Sequence, residues 1–182
     1  MLQIRAAGTG EFGEVLAVLD EQAAWLRERG IDQWPARFSG VGDWRERRLW
    51  EHCRAGSTFL LVDGDRVAGT FTLGGPDPDF AHGWPEQDPA RVAAYVYRMA
   101  VCRDYAGKDL GGRVLNWCAG RAAAQGYDWI RGDCHRRNQA LQRYYEARGC
   151  ELVNTVVAAK PDGDGHRVSG ALYQRSTSAI GM

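Results

Sequence analysis

The 182-residue sequence lacks several features that mark specialised classes of protein. It has no surplus of charge, because 23 basic residues balance 23 acidic ones, whereas a nucleic-acid binder usually carries a basic excess. No apolar run reaches the roughly 18 residues of a membrane-spanning helix, and the first residues lack the apolar centre of a signal peptide. We therefore expect a soluble, cytoplasmic protein without a nucleic-acid or membrane partner.

Disulfide frameworks and zinc sites are also missing from the sequence pattern. The five cysteines are an odd set without a CxxC pair, and no group of cysteines and histidines has zinc-ligand spacing. A chain of this length buries about 70% of its surface on folding, so it needs no cross-link to be stable. We expect reduced thiols, no metal, and a single domain over residues 1–182.

Apolar periodicity predicts a mixed α/β (α+β) fold with about six to seven strands and about four helices. The proline-rich segment, residues 74–90, is predicted to be a surface loop, and residues 176–182 a flexible tail. The predicted order is β-α-α-β-β-β-α-β-α-β-β, with strands at 2–6, 58–62, 66–73, 92–101, 128–134, 150–158 and 169–175, and helices at 9–30, 44–54, 109–125 and 138–148.

One glycine motif, at Gly8, Gly10 and Gly13, matches the GxGxxG pattern of dinucleotide-binding proteins. That pattern requires a second parallel strand after the helix, with an acidic residue at its end. Residues 31–44, which follow the predicted helix, contain no strand pattern. A nucleotide-dependent oxidoreductase is therefore the weaker hypothesis for this chain.

A second glycine motif, residues 106–112 (AGKDLGG, here the glycine loop), joins the predicted strand 92–101 to the helix 109–125. It is not a P-loop, because Asp109 stands where that motif requires Ser or Thr. A strand, a glycine loop and a helix N-terminus in succession nevertheless present backbone N–H groups to an anion such as a phosphate. The alternative is an ordinary strand-to-helix turn.

Two further segments extend this motif into a recognisable pattern. Arg98-Met99-Ala100-Val101 ends the strand before the glycine loop, and Asn138 is followed by Tyr145 seven residues later and by Gly149 four residues after that. Together they resemble the GNAT superfamily of acyl-CoA-dependent N-acyltransferases, specifically over residues 92–150 and in element order over 1–175. The resemblance implies a mostly antiparallel mixed sheet whose central strand pair splays apart at a bulge to admit the cofactor.

The resemblance also implies a binding site for acetyl-CoA as acyl donor. The backbone N–H groups of Met99 and Val101 would contact the pantetheine and the thioester, and the glycine loop would hold the diphosphate. Ala106 and Asp109 depart from the family's loop pattern, so Asp109 is either beside the phosphates or a helix N-cap. The implied cofactor-binding residues are Met99, Val101, Gly107, Lys108, Asp109, Leu110, Gly111, Gly112, Arg113 and Asn138, of which Lys108 and Arg113 add positive charge.

Tyr145 occupies the position of the family's general-acid tyrosine, whose phenol protonates the leaving thiolate. The alternative is that Tyr144 and Tyr145 are packing residues. Asp133 is the acidic residue nearest the motifs and the implied candidate for a general base, with His135 predicted on the same strand face. A salt bridge to an arginine is the competing interpretation for Asp133.

These residues lead to an expected N-acetyltransferase that acts on a primary amine of a small molecule or a peptide. The alternative is a non-catalytic acyl-CoA sensor with the same fold. Trp34 and Trp84, in predicted loops, are candidates to line an acceptor pocket, with packing as the other interpretation. The protein is expected to be a monomer or a homodimer.

Overall fold

The computed structural model describes residues 1–159 and 167–179, and these form seven strands and four helices with a few 3-10 turns. The order of strands and helices is the predicted one. The strands are β1 Leu2–Ala6, β2 Thr58–Asp63, β3 Arg66–Gly74, β4 Ala93–Val101, β5 Trp129–His135, β6 Glu151–Thr155 and β7 Ser169–Ser176; the helices are α1 Phe12–Glu28, α2 Trp44–Arg54, α3 Leu110–Ala124 and α4 Gln139–Glu146.

The strands form one mixed sheet in the order β1-β2-β3-β4-β5-β7-β6. β1 to β3 are joined by antiparallel pairing, and β7 pairs antiparallel with both β5 and β6. β4 and β5 are parallel, and their ladder has only three pairs, from Ala93–Trp129 to Tyr95–Arg131. The predicted α/β class and the early parting of the central strand pair are confirmed.

The chain divides into two compact units, and β4 begins in one and ends in the other. The first unit comprises Met1–Gly74 and Tyr97–Arg113, and the second comprises Gly75–Val96 and the described residues from Val114 onward. The prediction of a single domain over 1–182 remains a prediction.

The first unit is built around α1, whose apolar residues recur every three or four positions and so share one face. This face packs with residues of α2, β2 and the end of β4. The buried residues of this core are Ala7, Val15, Leu16, Val18, Leu19, Ala23, Phe38, Leu49, Cys53, Leu60 and Ala100. Trp34 packs against it and meets Phe38 edge to face, with ring centroids 5.5 Å apart, which supports packing as its role.

In the second unit, the proline-rich segment differs from the predicted surface loop. Phe80 and Trp84 are buried, and Trp84 meets Tyr95 edge to face. The side chain of Arg131 is fully buried beneath this segment and pairs with both carboxylate oxygens of Glu86 at 2.8 and 2.9 Å. The guanidinium carbon of Arg131 also lies 4.5 Å from the centroid of the Trp84 ring. Trp84 is therefore a core residue, and of its two predicted roles packing is the observed one.

A second arginine, Arg167, ties the start of the same segment. Its guanidinium binds Asp77 and Asp79 at 3.0 Å each and lies 4.7 Å from the ring centroid of Phe80. These carboxylates hold the pKa of Arg167 above its usual value against the opposing effect of burial. Two long-range charge pairs therefore convert a loop-like sequence into a packed part of the unit.

The predicted flexible tail is also ordered over its described part. β7 extends to Ser176, and the Thr177 hydroxyl donates to the carbonyl oxygen of Tyr127 at 2.8 Å. Thr177 is buried. Residues 180–182 of the predicted tail, and residues 160–166 between the last two strands, lie outside the described residues.

Candidate active site

β4 changes conformation at Arg98, immediately before the residues predicted to contact a thioester. Arg98 has φ +47°, in the left-handed region that non-glycine residues rarely adopt. Such a residue within a strand is the mark of a bulge, which interrupts pairing and turns the following N–H groups. Met99 and Val101 follow this bulge and are half-buried, so the bulge lies where the sequence predicted it.

The glycine loop that follows has two left-handed residues. Gly107 has φ +79° and Asp109 has φ +50°, and the residue between them keeps a negative φ. Alternation of hand along a short segment turns successive N–H groups toward one concave side, the arrangement that binds anions. Leu110 begins α3 directly after this turn, so the free N–H groups of the helix N-terminus continue the same surface.

Asp109 is the N-cap of α3, one of the two roles that the sequence left open. Its carbonyl oxygen accepts the first hydrogen bond of the helix, from the N–H of Arg113 at 3.2 Å. Its carboxylate folds back over Gly112, where the oxygens lie 2.5 and 2.8 Å from the point that a Cβ would occupy. Gly112 therefore makes room for a negative charge at the N-terminus of α3, where the helix dipole stabilises it.

The other loop residues differ in what they offer to an anion. Lys108 donates its backbone N–H to the carbonyl oxygen of Tyr105 at 3.3 Å, so this N–H is engaged within the turn. Its ammonium lies 4.6 Å from the ring centroid of Tyr105. Gly107, Lys108 and Arg113 are exposed, whereas Leu110, Gly111 and Gly112 are buried in the turn. All nine predicted cofactor residues from Met99 to Arg113 lie in the first unit.

The remaining predicted residues, Asn138, Tyr145 and Asp133, belong to the second unit. Asn138 is the N-cap of α4, and its side-chain oxygen accepts the N–H of Leu141 at 3.1 Å. Tyr145 is half-buried against Cys134 and Tyr173, with 5.9 Å between the two tyrosine ring centroids.

Burial raises the pKa of Tyr145 well above its usual value, and the neighbouring thiols and the Asp133 carboxylate add to this rise. The phenol is therefore protonated at neutral pH. Tyr144 contacts the ring of Tyr145 edge to face at 5.9 Å and stacks on Arg148, whose guanidinium lies 3.5 Å from its centroid. The two tyrosines thus have different surroundings, as their adjacent positions on a helix require.

Asp133 lies on β5 within the electrostatic range of both Tyr145 and Arg167. Its charge raises the pKa of Tyr145 and contributes to the raised pKa of Arg167. His135 is buried, and its Nδ1 accepts the backbone N–H of Arg137 at 2.9 Å, so it holds the turn before α4. Asp133 therefore lies near Tyr145, the predicted acid, and near the cation of Arg167. His135 stabilises the turn before α4 through its hydrogen bond.

The model of the acetyltransferase (GNAT) family matches residues 21–150 of this sequence. The chain belongs to the GNAT acetyltransferase family. The match contains β4, the glycine loop and α4, which are the segments that carried the resemblance. The described segment between α1 and α2 contains no strand, so the glycine motif at Gly8, Gly10 and Gly13 is not part of a βαβ unit. It therefore lacks the structural context of a dinucleotide-binding site.

Individual relatives agree with membership of the GNAT family. An uncharacterized N-acetyltransferase, YesJ of Bacillus subtilis (strain 168), is 27% identical over 141 residues, which are 76% of each chain. A GNAT-family acetyltransferase of Listeria monocytogenes 4b F2365 superposes with a TM-score of 0.72 at 20% identity, covering 96% of this chain and 94% of the other. YncA of Salmonella typhimurium, solved with acetyl-CoA, gives 0.64 at 17% identity, covering 97% and 94%.

Neither a metal-binding group of side chains nor a membrane-spanning helix is found in the part of the chain that the structure describes. Within residues 1–159 and 167–179, no three acidic, histidine or cysteine side chains form a group able to hold a metal ion. None of the helices there is long and apolar enough to cross a membrane. All five cysteines are free thiols.

Proposed function

We propose that the protein is an N-acetyltransferase that transfers the acetyl group of acetyl-CoA to a primary amine of a small molecule or a peptide. The observation that carries this proposal is the backbone of the glycine loop, which keeps an anion-binding shape although two of its side chains depart from the family pattern. The left-handed conformations of Gly107 and Asp109 give this loop the alternation of hand that suits an anion.

The residues of the first unit fit the parts of acetyl-CoA in order along the chain. The N–H groups of Gly107, Leu110 and Gly111, with the cations of Lys108 and Arg113, suit a diphosphate. The segment after Arg98 offers the N–H groups of Met99 and Val101 to a thioester carbonyl, and β5 supplies no ladder partner beyond Tyr95. When bound, acetyl-CoA supplies an acetyl group activated as a thioester.

Tyr145 and Asp133 are the proposed contributions of the second unit to the reaction. Tyr145 holds its proton at neutral pH and donates it to the departing sulfur. Asp133 supports this state, because its negative charge disfavours ionisation of the phenol. Asn138 caps the helix that carries Tyr145 and is the proposed contact of this unit with the cofactor.

The first test is calorimetric titration with CoA and acetyl-CoA, followed by a thiol-release assay with acetyl-CoA and a panel of primary amines. The enzyme hypothesis predicts saturable binding of both and release of CoA that depends on one class of amine. Binding without amine-dependent release would instead favour the acyl-CoA sensor, and the absence of binding would overturn both. The cytoplasm and a monomeric or homodimeric state are proposed with this function.

A further inference from the structure

A histidine of the first unit, His52, lies beside the bulge of β4. It is in the last turn of α2 and is half-buried. Its ring centroid is 6.4 Å from that of Tyr97, the residue before Arg98. Gly74, at the end of β3, also adjoins the imidazole, because a Cβ there would stand in ordinary contact with it, 3.7 Å from its Cε1. The ring thus occupies the corner where α2, β3 and β4 meet.

The charges around His52 favour a neutral imidazole. Burial is the largest cause of the lowered pKa of His52, and the cations of Arg98 on β4 and Arg48 on α2 lower this pKa further. The charge of Glu51 on α2 opposes them by raising it. Gly74 and Tyr97, the other residues at this corner, carry no charge at neutral pH. The imidazole makes no hydrogen bond to the part of the chain that the structure describes. The lowered pKa leaves the imidazole neutral at pH 7, with its nitrogens not engaged by the described part of the chain.

We propose that His52 is the general base that removes a proton from the acceptor amine. This inference rests on the proposed function, because it needs an amine to approach the thioester near Met99. Tyr97, whose ring lies beside the imidazole, is separated from Met99 on β4 only by the bulge residue Arg98, so the proposed amine would bind beside the Tyr97 ring. β4 itself contains no carboxylate, and Asp133, the candidate base implied by the resemblance, lies in the other unit, where its charge acts on Tyr145 and Arg167.

The proton transfer balances with the proposed acid. His52 takes one proton from the ammonium form of the acceptor, which frees the nitrogen lone pair to form the C–N bond. The C–S bond breaks, and Tyr145 gives its proton to the sulfur. The nitrogen loses its second proton to solvent as the amide forms, the His52 imidazolium releases its proton to solvent, and the tyrosinate recovers one from solvent. One acetyl thioester and one ammonium ion yield one amide, one CoA thiol and one proton.

The direct test is a pair of matched variants, His52→Gln and His82→Gln, assayed for CoA binding and for kcat/KM against pH. His82 is exposed and lies in the second unit, so the same change there serves as the control. We expect His52→Gln to bind CoA like the wild type and to lose about 10²-fold in kcat/KM with the most active amine of the panel. The acidic limb of the profile should vanish in this variant alone.

A merely structural role would not reproduce the charge dependence of that limb. Arg48→Gln removes a cation that lowers the pKa of His52, so the limb should move to higher pH. Hydroxylamine, which is largely neutral at pH 7, should lose less rate in His52→Gln than an alkylamine does. If the glutamine variant unfolds, His52→Ala with added imidazole replaces it, since restored turnover in imidazole requires a folded site.

Titration of the histidine ring resonances by NMR gives a result that does not depend on turnover. We expect the His52 imidazole to titrate below the ordinary value of about 6.5 and to move up in Arg48→Gln. A midpoint at or above the ordinary value overturns the proposal, as does a wild-type rate and acidic limb in His52→Gln. Failure of the wild type to bind CoA would overturn the proposed function instead, so the two failures are distinguishable.

Discussion

The glycine loop and the α4 segment, residues 138–149, offer different kinds of chemical group to a ligand. The loop presents mostly backbone, with residues 106–109 exposed and two of them left-handed. The α4 segment presents side chains. The amide oxygen of Asn138 caps the helix, and the phenol ring of Tyr145 packs against the buried residues Cys134 and Tyr173. A site built on backbone tolerates changes of side chain that preserve φ and ψ, whereas a site built on a hydroxyl does not.

This difference gives a physical reason why Asp109 can depart from the family's loop pattern. Asp109 replaces the glycine of the family pattern yet keeps a positive φ, because Asp is among the few residues that enter the left-handed region readily. Tyr145 keeps its identity and its spacing from Asn138 and Gly149. Variants that alter the backbone in one segment and the hydroxyl in the other test the comparison directly.

The largest expected effect is that of Tyr145→Phe, which removes the hydroxyl and keeps the ring. We expect kcat to fall by about 10²-fold because the leaving sulfur loses its acid, while CoA affinity is unchanged. The free energy of unfolding should change by about 1 kcal/mol or less. Because the pKa of Tyr145 is raised, the wild-type rate should show no loss from phenol ionisation below about pH 10.

Tyr144→Phe is the internal control for this variant, because it removes a hydroxyl from the neighbouring ring and should leave kcat nearly unchanged. The acceptor must be a good one, since slow attack by the amine would hide the protonation step. Equal wild-type turnover in both variants would make Tyr145 a packing residue and would remove the contrast between the two segments.

A smaller effect is expected when the loop backbone is disturbed, as in Gly107→Val. A β-branched residue at φ +79° is strained by about 1–3 kcal/mol, and the loop relieves this by turning its N–H groups away from the diphosphate. We expect the dissociation constant for CoA, measured by calorimetry, to rise about tenfold. Little change in kcat at saturating acetyl-CoA should accompany it.

Gly64→Val is the matched control, since Gly64 also has a positive φ, +61°, and open space around its Cβ position. It lies in the turn between β2 and β3, so it should lower the melting temperature without changing CoA affinity. Equal CoA affinity in the two variants would mean that the backbone shape of the glycine loop does not govern binding.

Local patterns predicted most of the fold because they reflect local physics. Apolar spacing located α1, and two apolar runs around the Asp63-Gly64-Asp65 turn located β2 and β3. The bulge at Arg98 was anticipated only through the family resemblance.

Interactions between distant parts of the sequence were not predictable in this way. Nothing near Glu86 indicates that Arg131 will pair with it, so a proline-rich segment was interpreted as a surface loop. In the same way, no local pattern connects His52 to Tyr97. The φ of Asp109 also escaped prediction, because aspartate is ordinary at an N-cap and only its left-handed conformation sets it apart.

The smallest expected effect, and the finest test of a backbone site, is that of Asp109→Asn. Asparagine keeps both the tolerance for a positive φ and the capping oxygen, so the structure of the turn and the melting temperature should hardly change. It removes only the negative charge that lies over Gly112. If the diphosphate binds at this helix N-terminus, CoA should bind about two- to fivefold more tightly, the magnitude of one charge near a helix end.

The salt dependence of this gain separates charge from shape. A purely electrostatic effect should shrink when calorimetry is repeated at about 1 M salt, where screening acts over roughly 3 Å. Asp109→Gly also removes the charge, but it loses the side-chain cap and gives the loop more freedom, so its gain should be no greater than that of Asp109→Asn. Weaker binding in Asp109→Asn would show that the carboxylate orders the N–H groups for the ligand, and the glycine loop would then depend on a side chain as much as α4 does.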